Sequence, residues 1–117
     1  LVTCATGDGN LALNTNPMPD GRIEPRQVES FQKIGQWLAK YGESIYGTRG
    51  GPYKPAAWGA STRAGSAIYL HILSWPGTNE TLQLPALPVA VKQATLLSGG
   101  EVTVAQTAEA LQITALD

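Results

Sequence analysis

The sequence predicts an α+β fold that is mostly β, with one short strand and one helix before a small antiparallel β-sandwich. Apolar residues recur at intervals of three and four along residues 25–41, as on one face of a helix. After residue 55 they alternate instead in short segments separated by turn formers. Between the two patterns, two prolines and three glycines in residues 47–55 interrupt any regular element, which predicts a boundary there.

The first elements are a turn, a strand and a loop. Residues 7–10 (Gly-Asp-Gly-Asn) are typical of a turn, residues 11–13 of a short apolar strand, and residues 14–21 of a loop. The turn has neither the lysine of a phosphate loop nor the further acidic ligands of a calcium loop, so we interpret it as a plain turn. Cys4 has no partner for an intrachain disulfide, and we expect it to be a small buried apolar residue.

The helix is predicted to start at Pro25, a residue favoured in the first turn, and to be capped by Gly42. A glycine inside a helix costs about 1 kcal/mol relative to alanine, so we expect Gly35 to permit the close approach of a neighbouring element. Five apolar residues share one face of the helix: Val28, Phe31, Ile34, Leu38 and Tyr41.

Five strands are predicted after the boundary, at residues 66–74, 81–84, 94–97, 102–106 and 111–116. Both faces of the first are largely apolar, as expected of a central strand. Residues 75–79 are predicted to end it, while residues 98–100 (Ser-Gly-Gly) and 107–109 are predicted hairpin turns. Such a series of short antiparallel strands is typical of a small β-sandwich.

Charge and hydropathy exclude some classes of partner. Eight basic and nine acidic residues give a net charge of −1 without a basic run, so we expect no nucleic-acid partner. No apolar stretch approaches the roughly 20 residues of a membrane span, and no secretion signal is visible, so we expect no membrane partner either. Because the chain begins inside an apolar segment, we expect a processed or truncated product.

Three collinear motifs stand in the first half: residues 9–14 (Gly-Asn-Leu-Ala-Leu-Asn), 20–23 (Asp-Gly-Arg-Ile) and 41–49 (Tyr-Gly-Glu-Ser-Ile-Tyr-Gly-Thr-Arg). They resemble the end of the catalytic domain of family 29 α-L-fucosidases. In the second half, Trp58-Gly59, Tyr69-Leu70-His71, Trp75-Pro76 and Leu97-Ser98-Gly99-Gly100 resemble the C-terminal β-sandwich of the same enzymes. Residues 3–5 and 24–27 are most similar to the subgroup that prefers α-1,3/1,4-linked fucose.

The resemblance implies that residues 1–50 are the end of a catalytic (β/α)-barrel domain, with a barrel-derived last strand and helix. Residues 51–117 would then be the C-terminal β-sandwich domain. The family's nucleophilic aspartate and acid/base glutamate come from earlier strands, so the resemblance implies no catalytic residue, no cofactor and no metal in this chain. Asn14 and Asn16 would lie at the catalytic rim, as the candidates for substrate contact. Asn16 replaces the family's usual glycine, which adds bulk where a sugar would approach.

The acidic residues of the chain lead to the same expectation. A retaining glycosidase needs two carboxyl groups about 5 to 5.5 Å apart, one of them with a raised pKa. No pair in this sequence stands in an apolar setting that would separate two pKa values. The nine are scattered over turns, helix surface and hairpins: Asp8, Asp20, Glu24, Glu29, Glu43, Glu80, Glu101, Glu109 and Asp117.

Other candidate sites have simpler interpretations. His71 could be a general base, but no nucleophile elbow or metal partner accompanies it, so we expect a packed structural histidine. Trp37, Trp58 and Trp75 could form a sugar-stacking platform, although core or interface packing is preferred for Trp37 and Trp58. Asn79-Glu80-Thr81 matches a glycosylation sequon, which we interpret as chance in a bacterial-looking chain.

Three hypotheses of function follow. In the first, the chain is a fragment or subunit of an α-L-fucosidase that hydrolyses terminal fucose by a retaining mechanism, and it is inert alone. In the second, it is a non-catalytic carbohydrate-binding or assembly module. In the third, it self-associates and catalyses with residues of an unrecognised kind. For the first we expect a periplasmic or secreted parent, a fucosylated glycan as substrate, and the N-terminal catalytic portion or another copy of the chain as partner.

Overall fold

The structure, a computed structural model, describes residues 1–76 and 81–116. It contains two α-helices and six strands in the described ranges, and a single 3₁₀ turn, Gly42–Ser44, follows the second helix. The elements are α1 (Val2–Thr6), α2 (Pro25–Tyr41), β1 (Arg49–Gly50), β2 (Gly59–Ala64), β3 (Ala67–Ile72), β4 (Thr81–Pro85), β5 (Glu101–Gln106) and β6 (Ala110–Leu116). No helix in the described ranges is long and apolar enough to span a membrane.

The predicted α+β, mostly β class is confirmed. The strands form two three-stranded sheets, ordered β1-β2-β3 and β4-β6-β5, in which the recorded pairings are antiparallel. The chain divides into two compact units, one of residues 1–56 and 60–71, the other of residues 57–59 and the described residues from 72 onward. The predicted boundary between residues 50 and 51 separates a barrel-derived segment from a sandwich domain. The two compact units do not test that division, so the boundary stays a prediction.

Helix α2 begins and ends as its sequence predicts. Pro25 opens it, and the Glu24 carboxylate caps it by accepting a hydrogen bond from the Gln27 backbone N–H at 3.1 Å. The Gly42 N–H donates to the Leu38 carbonyl, but Gly42 keeps a right-handed backbone (φ −59°) and leads into the 3₁₀ turn. The expected close neighbour of Gly35 is wrong for the described chain, because a Cβ at Gly35 would meet nothing within 4 Å.

The predicted apolar face of α2 is present but uncovered by the rest of the described chain. Val28, Phe31 and Ile34 remain 39, 38 and 36% exposed, and α2 buries none of its residues. Leu11 and Leu13, earlier in the same unit, are 46 and 50% exposed. The helix is therefore fixed by its ends rather than by its apolar face.

The start of the chain is joined to β1. The Gly50 backbone N–H donates to Asp8 Oδ1 at 2.9 Å, and β1 pairs with β2 through Gly50 and Thr62. A Cβ added at Gly50 would lie 2.9 Å from the carbonyl carbon of Thr6 and closer still to its oxygen. Only glycine allows α1 and β1 to approach this closely.

The strand β2, which the alternation pattern did not predict, is held by hydroxyl groups. Ser61 and Thr62 are fully buried. Ser61 Oγ accepts from the Tyr53 N–H at 2.8 Å and donates to the Tyr53 carbonyl at 3.1 Å. Thr62 Oγ1 donates to the Ser44 carbonyl at 2.6 Å. These bonds tie the central strand of the first sheet to Ser44, just before the 47–55 boundary, and to Tyr53 within it.

The second sheet follows its predicted alternation. Strands β4, β5 and β6 match the predicted segments at residues 81–84, 102–106 and 111–116 within one residue at each end. Leu82 faces Ile113 and Leu84 faces Leu111 across the β4–β6 pair, and these four residues are buried. The predicted turn at residues 107–109 is confirmed, since the Thr107 N–H donates to the Ala110 carbonyl at 2.9 Å.

Two predicted strands are wrong. Residues 11–13 and 94–97 have no strand conformation, because neither segment has a partner in the described chain with which to form a ladder. Residues 98–100 therefore form a turn, with positive φ at Gly99 and Gly100, but not the hairpin that was predicted. Strand β3 matches the prediction for residues 66–74 but is shorter, and it lies at the edge of its sheet rather than at the centre.

Parts of two predictions fall outside the described residues. The predicted turn at residues 75–79 is described only for Trp75 and Pro76, and the sequon is described only for Thr81. Glu80 and Asp117, two of the acidic residues considered above, also lie outside the described ranges.

Candidate functional site

The two candidate substrate-contact residues, Asn14 and Asn16, are exposed in the segment that leads into α2. We call residues 14–24 the entry loop. Two of its residues are held by one side chain of the helix. Gln27 Oε1 accepts a hydrogen bond from the Thr15 hydroxyl at 2.7 Å and a longer one from the Asn16 backbone N–H at 3.4 Å. The first turn of α2 therefore fixes the part of the loop between the two asparagines.

The far part of the entry loop folds back on itself. Pro17 and Ile23 form an isolated antiparallel bridge, and the Met18 N–H donates to the Arg22 carbonyl at 2.7 Å. The turn needs a left-handed residue, which Gly21 supplies with φ +83°. The entry loop is thus a small closed structure and not an irregular connection.

An exposed ion pair closes the tip of the entry loop. Arg22 Nε donates to Asp20 Oδ2 at 2.7 Å, and the Arg22 backbone N–H donates to Asp20 Oδ1 at 3.1 Å. Hydrogen bonds from the Arg22 side chain and then its backbone lower the pKa of Asp20 below its usual 3.8. A carboxyl that stays ionised in this way is unsuited to act as a general acid.

The acidic residues of the described chain are not in settings that favour acid catalysis. They are exposed, except for Glu24, which is half-buried and caps α2. Several are occupied by partners: Asp8 by the Gly50 N–H, Asp20 by Arg22, and Glu29 by Lys33 at 2.7 Å. Among the described residues, no group of three or more His, Cys, Asp or Glu side chains could hold a metal ion.

His71 lies in a buried polar network. Its Nε2 is 3.0 Å from Thr62 Oγ1, which donates its only proton to the Ser44 carbonyl. The Thr62 oxygen therefore accepts from His71, which requires the Nε2-protonated ring. Burial lowers the pKa of His71 below 6.5, partly offset by a hydrogen bond with the Ser44 backbone. These contacts support the interpretation of His71 as a packed structural residue.

The three tryptophans are half-buried. Trp37 packs against Tyr41 with ring centroids 5.4 Å apart, inside the same helix. The Trp58 carbonyl accepts from the backbone N–H groups of Leu73 and Ser74, so its backbone takes part in the fold of the second unit.

The turn predicted at residues 7–10 is also present, with Asp8 in the left-handed region at φ +56°.

A shallow apolar depression lies beside the entry loop. It measures about 370 Å³ and is lined by Thr15, Ile23, Val28, Phe31 and Gln32. Its walls are the loop on one side and the exposed face of α2 on the other.

The pattern of the sequence predicted the helix face but missed the role of Gln27, because a glutamine on a helix surface gives no periodic signal. The only hint was its position three residues after the capping residue Glu24.

Comparisons with known proteins agree with one another. The family model described as Alpha-L-fucosidase matches residues 1–43. The α-L-fucosidase of Branchiostoma floridae is 33% identical over 92 residues, which are 72% of this chain and 19% of that protein. The human tissue α-L-fucosidase is 35% identical over 82 residues, 65% of this chain and 17% of that protein. The chain spans about a fifth of the length of the curated relatives it matches.

Solved structures match nearly the whole chain. A family 29 α-L-fucosidase of Bacteroides thetaiotaomicron, solved as a trapped covalent intermediate, has a TM-score of 0.84 and 27% identity over 98% of this chain and 27% of its own. The α-fucosidase of Thermotoga maritima in complex with fucose has a TM-score of 0.78 and 30% identity over 98% of this chain and 28% of its own.

In fold and sequence the chain is similar to part of known α-L-fucosidases, a class of glycoside hydrolase. Its two small antiparallel sheets and helix match the C-terminal β-sandwich region of fucosidases. The family that the family model, the curated relatives and the solved structures all support is that of the family 29 α-L-fucosidases.

Proposed function

We propose that this chain is the C-terminal portion of an α-L-fucosidase, which hydrolyses terminal α-L-fucosyl linkages by a retaining mechanism. The observation that carries the proposal is the similarity to solved family 29 enzymes along 98% of the chain, at a TM-score of 0.84 and 27% identity. That relative was trapped as a covalent intermediate, and a covalent glycosyl-enzyme is the hallmark of retention.

The two catalytic carboxyl groups lie outside this chain in our proposal. A retaining pair needs one carboxyl kept protonated by an apolar setting and a second one about 5 to 5.5 Å away. The described acidic residues are exposed or, in the case of Glu24, committed to a helix cap. The pKa of Asp20 is lowered by Arg22, which is the direction opposite to that needed in a general acid.

The contribution of this chain to the site is the entry loop. In a barrel enzyme the active site is formed at the C-terminal ends of the strands. If residues 11–13 become the last barrel strand beside their neighbours, the entry loop follows directly at the catalytic rim. Asn14 and Asn16 are then the residues proposed to approach the fucosyl unit, and their exposure is consistent with that role.

The partner of the chain is the N-terminal catalytic portion or, in its absence, another copy of the chain. Burying one large apolar side chain contributes about 1.5 to 3 kcal/mol. Val28, Phe31 and Ile34 are each more than a third exposed, as are Leu11 and Leu13. Covering these residues would contribute several kcal/mol, which is a large share of the roughly 5 to 15 kcal/mol of a typical domain. We therefore propose that the chain is not a free monomer.

Two finer points also belong to the proposal. The similarity of residues 3–5 and 24–27 to the corresponding motifs supports the subgroup that prefers α-1,3/1,4-linked fucose. The parent enzyme is proposed to be periplasmic or secreted. Hydrolysis rates on α-1,2-, α-1,3- and α-1,4-fucosylated oligosaccharides test the first point, and activity in fractionated cells tests the second.

The proposal is tested with 4-nitrophenyl α-L-fucoside. We expect no turnover by the chain alone and turnover when the N-terminal portion is supplied. Saturable sugar binding without turnover in both preparations would favour the alternative, a non-catalytic carbohydrate-binding or assembly module. Turnover by the chain alone that Asp20→Ala or Glu24→Ala abolishes would contradict the placement of the carboxylates outside this chain.

Light scattering over a dilution series tests the proposed partner. We expect an assembly larger than the 12.3 kDa chain whenever the N-terminal portion is absent. A monodisperse 12.3 kDa monomer at high concentration, with Phe31 still accessible to solvent, would contradict the proposal.

A further inference from the structure

The geometry of the entry loop points to Gln27 as a positioning residue for substrate binding. We propose that the Gln27 carbonyl oxygen holds Thr15 and Asn16 in the conformation that presents the rim of the loop to the fucosyl unit. The inference rests on the proposed function and extends it to a residue that does not itself touch the sugar.

The anchor point is built into the helix. Gln27 lies in the first turn of α2, and its backbone N–H donates to the Glu24 carboxylate at 3.1 Å. Its side chain is half-buried, while the asparagines on either side of Thr15 are exposed. The helix and its cap therefore fix the backbone of Gln27. The side-chain amide extends from that fixed backbone to the loop.

The side chain engages the loop through a single atom. Gln27 Oε1 accepts from the Thr15 hydroxyl at 2.7 Å and from the Asn16 N–H at 3.4 Å, so both lone pairs of that oxygen are used. The second bond fixes the backbone at Asn16, which is itself one of the two candidate contact residues. The Pro17–Ile23 bridge fixes the far side of the same segment. Without Gln27 the segment at residues 14–16 loses the bonds that the described chain gives it from α2.

The chemistry of the contact defines which variants are informative. Gln27→Met keeps the length and helix preference but removes the acceptor oxygen, whereas Gln27→Glu keeps an acceptor at the same distance. Thr15→Val removes the shorter bond from the other side. Gln36 is an exposed glutamine in the same helix, so Gln36→Met is the matched control.

The experiment measures kcat and KM for 4-nitrophenyl α-L-fucoside in the complete enzyme, together with hydrogen exchange at the Asn16 amide. Because one intramolecular hydrogen bond corresponds to roughly a 2- to 13-fold change in an equilibrium, we expect Gln27→Met to lower kcat/KM by about 3- to 10-fold, mainly through KM. The Asn16 amide should exchange faster by a similar factor. Gln27→Glu should recover most of the activity, and Thr15→Val combined with Gln27→Met should add little to the single change.

Three results would overturn the inference. Wild-type kcat/KM in Gln27→Met, despite faster exchange at Asn16, would mean that the held loop does not serve the substrate. An equal loss in Gln27→Glu or in Gln36→Met would indicate a general structural effect. A complete wild-type enzyme without activity on the fucoside would refute the proposed function itself, and the exchange at Asn16 would still report whether Gln27 holds the loop.

Discussion

Adding a single methyl group at Gly50 is expected to destabilise this chain strongly. In Gly50→Ala the new Cβ would lie 2.9 Å from the Thr6 carbonyl carbon and closer to its oxygen. Non-bonded carbon atoms pack at about 3.5 to 4.0 Å, so α1 and β1 would have to separate by at least about 0.6 Å. Both contacting groups are backbone, so no side-chain rotation can relieve the overlap.

The separation also breaks a hydrogen bond. The Gly50 N–H donates to Asp8 Oδ1 at 2.9 Å, and the same movement stretches that bond to the limit of hydrogen bonding. Overpacking costs typically about 1 to 3 kcal/mol, and a hydrogen bond to a charged group contributes about 1.5 to 3 kcal/mol. Because the two losses share one movement, we expect Gly50→Ala to lower the free energy of unfolding by about 2 to 4 kcal/mol.

Thermal unfolding followed by circular dichroism measures this loss, with an expected fall in Tm of about 10 to 15 °C for a chain of this size. Gly35→Ala is the matched control, because its Cβ would meet nothing within 4 Å and the helix should gain up to about 1 kcal/mol. A Tm for Gly50→Ala within about 2 °C of wild type would refute the inferred contact between α1 and β1.

Two further predictions concern the buried His71 and the hydrogen-bonded side chain of Gln106. Because burial lowers the pKa of His71 below 6.5, the unfolded chain binds its proton at a higher pH than the folded chain. The contribution of His71 to the free energy of unfolding is therefore complete above about pH 6.5 and falls as the pH drops toward the folded pKa. The free energies of unfolding of wild type and His71→Gln, measured in urea from pH 8 to 5, should converge at the acidic end. Gln106 accepts from the Val91 N–H and donates to the Val89 carbonyl, each at 2.8 Å, so Gln106→Leu should cost about 1 to 3 kcal/mol in unfolding free energy. Unchanged hydrogen exchange at Val91 in that variant would contradict the second prediction.

The parts of the fold that the sequence predicts are those with a local pattern. Helix α2 was predictable because its apolar spacing, Pro25 and the Glu24 cap all lie within the segment itself. Strands β4, β5 and β6 were predictable because buried and exposed residues alternate along them, as at Leu82 and Leu84. In each case the residues that decide the structure are neighbours in the chain.

The errors come from segments whose structure depends on distant partners. Residues 11–13 and 94–97 have strand-like composition but no partner in the described chain, and strand composition alone does not form a ladder. The reverse holds for β2, whose sequence of Gly, Ala, Ser and Thr gives no apolar alternation. Its fully buried Ser61 and Thr62 are hydrogen-bonded to backbone groups 8 and 18 residues earlier in the chain, and no periodicity of the sequence indicates such contacts.

The candidate site was even less predictable from pattern. Asn14 and Asn16 were nominated by resemblance alone, and the structure adds only that both are exposed in the entry loop. The contact that organises this loop joins Gln27 to Thr15, 12 residues apart. A hydrogen bond between two polar surface side chains gives no signal in the composition or periodicity of the sequence.

The exposure of α2 also has a mechanical consequence. The helix buries none of its own residues, and Thr62 holds the Ser44 carbonyl just beyond its last turn. A 17-residue helix is about 25 Å long, so a tilt of about 10° at that end displaces the first turn by about 4 Å. Substitutions at the buried Thr62 would therefore change the tilt of the whole helix, with the largest displacement at its opposite end. They would move Gln27 and the entry loop without changing the helix content or any residue of the loop.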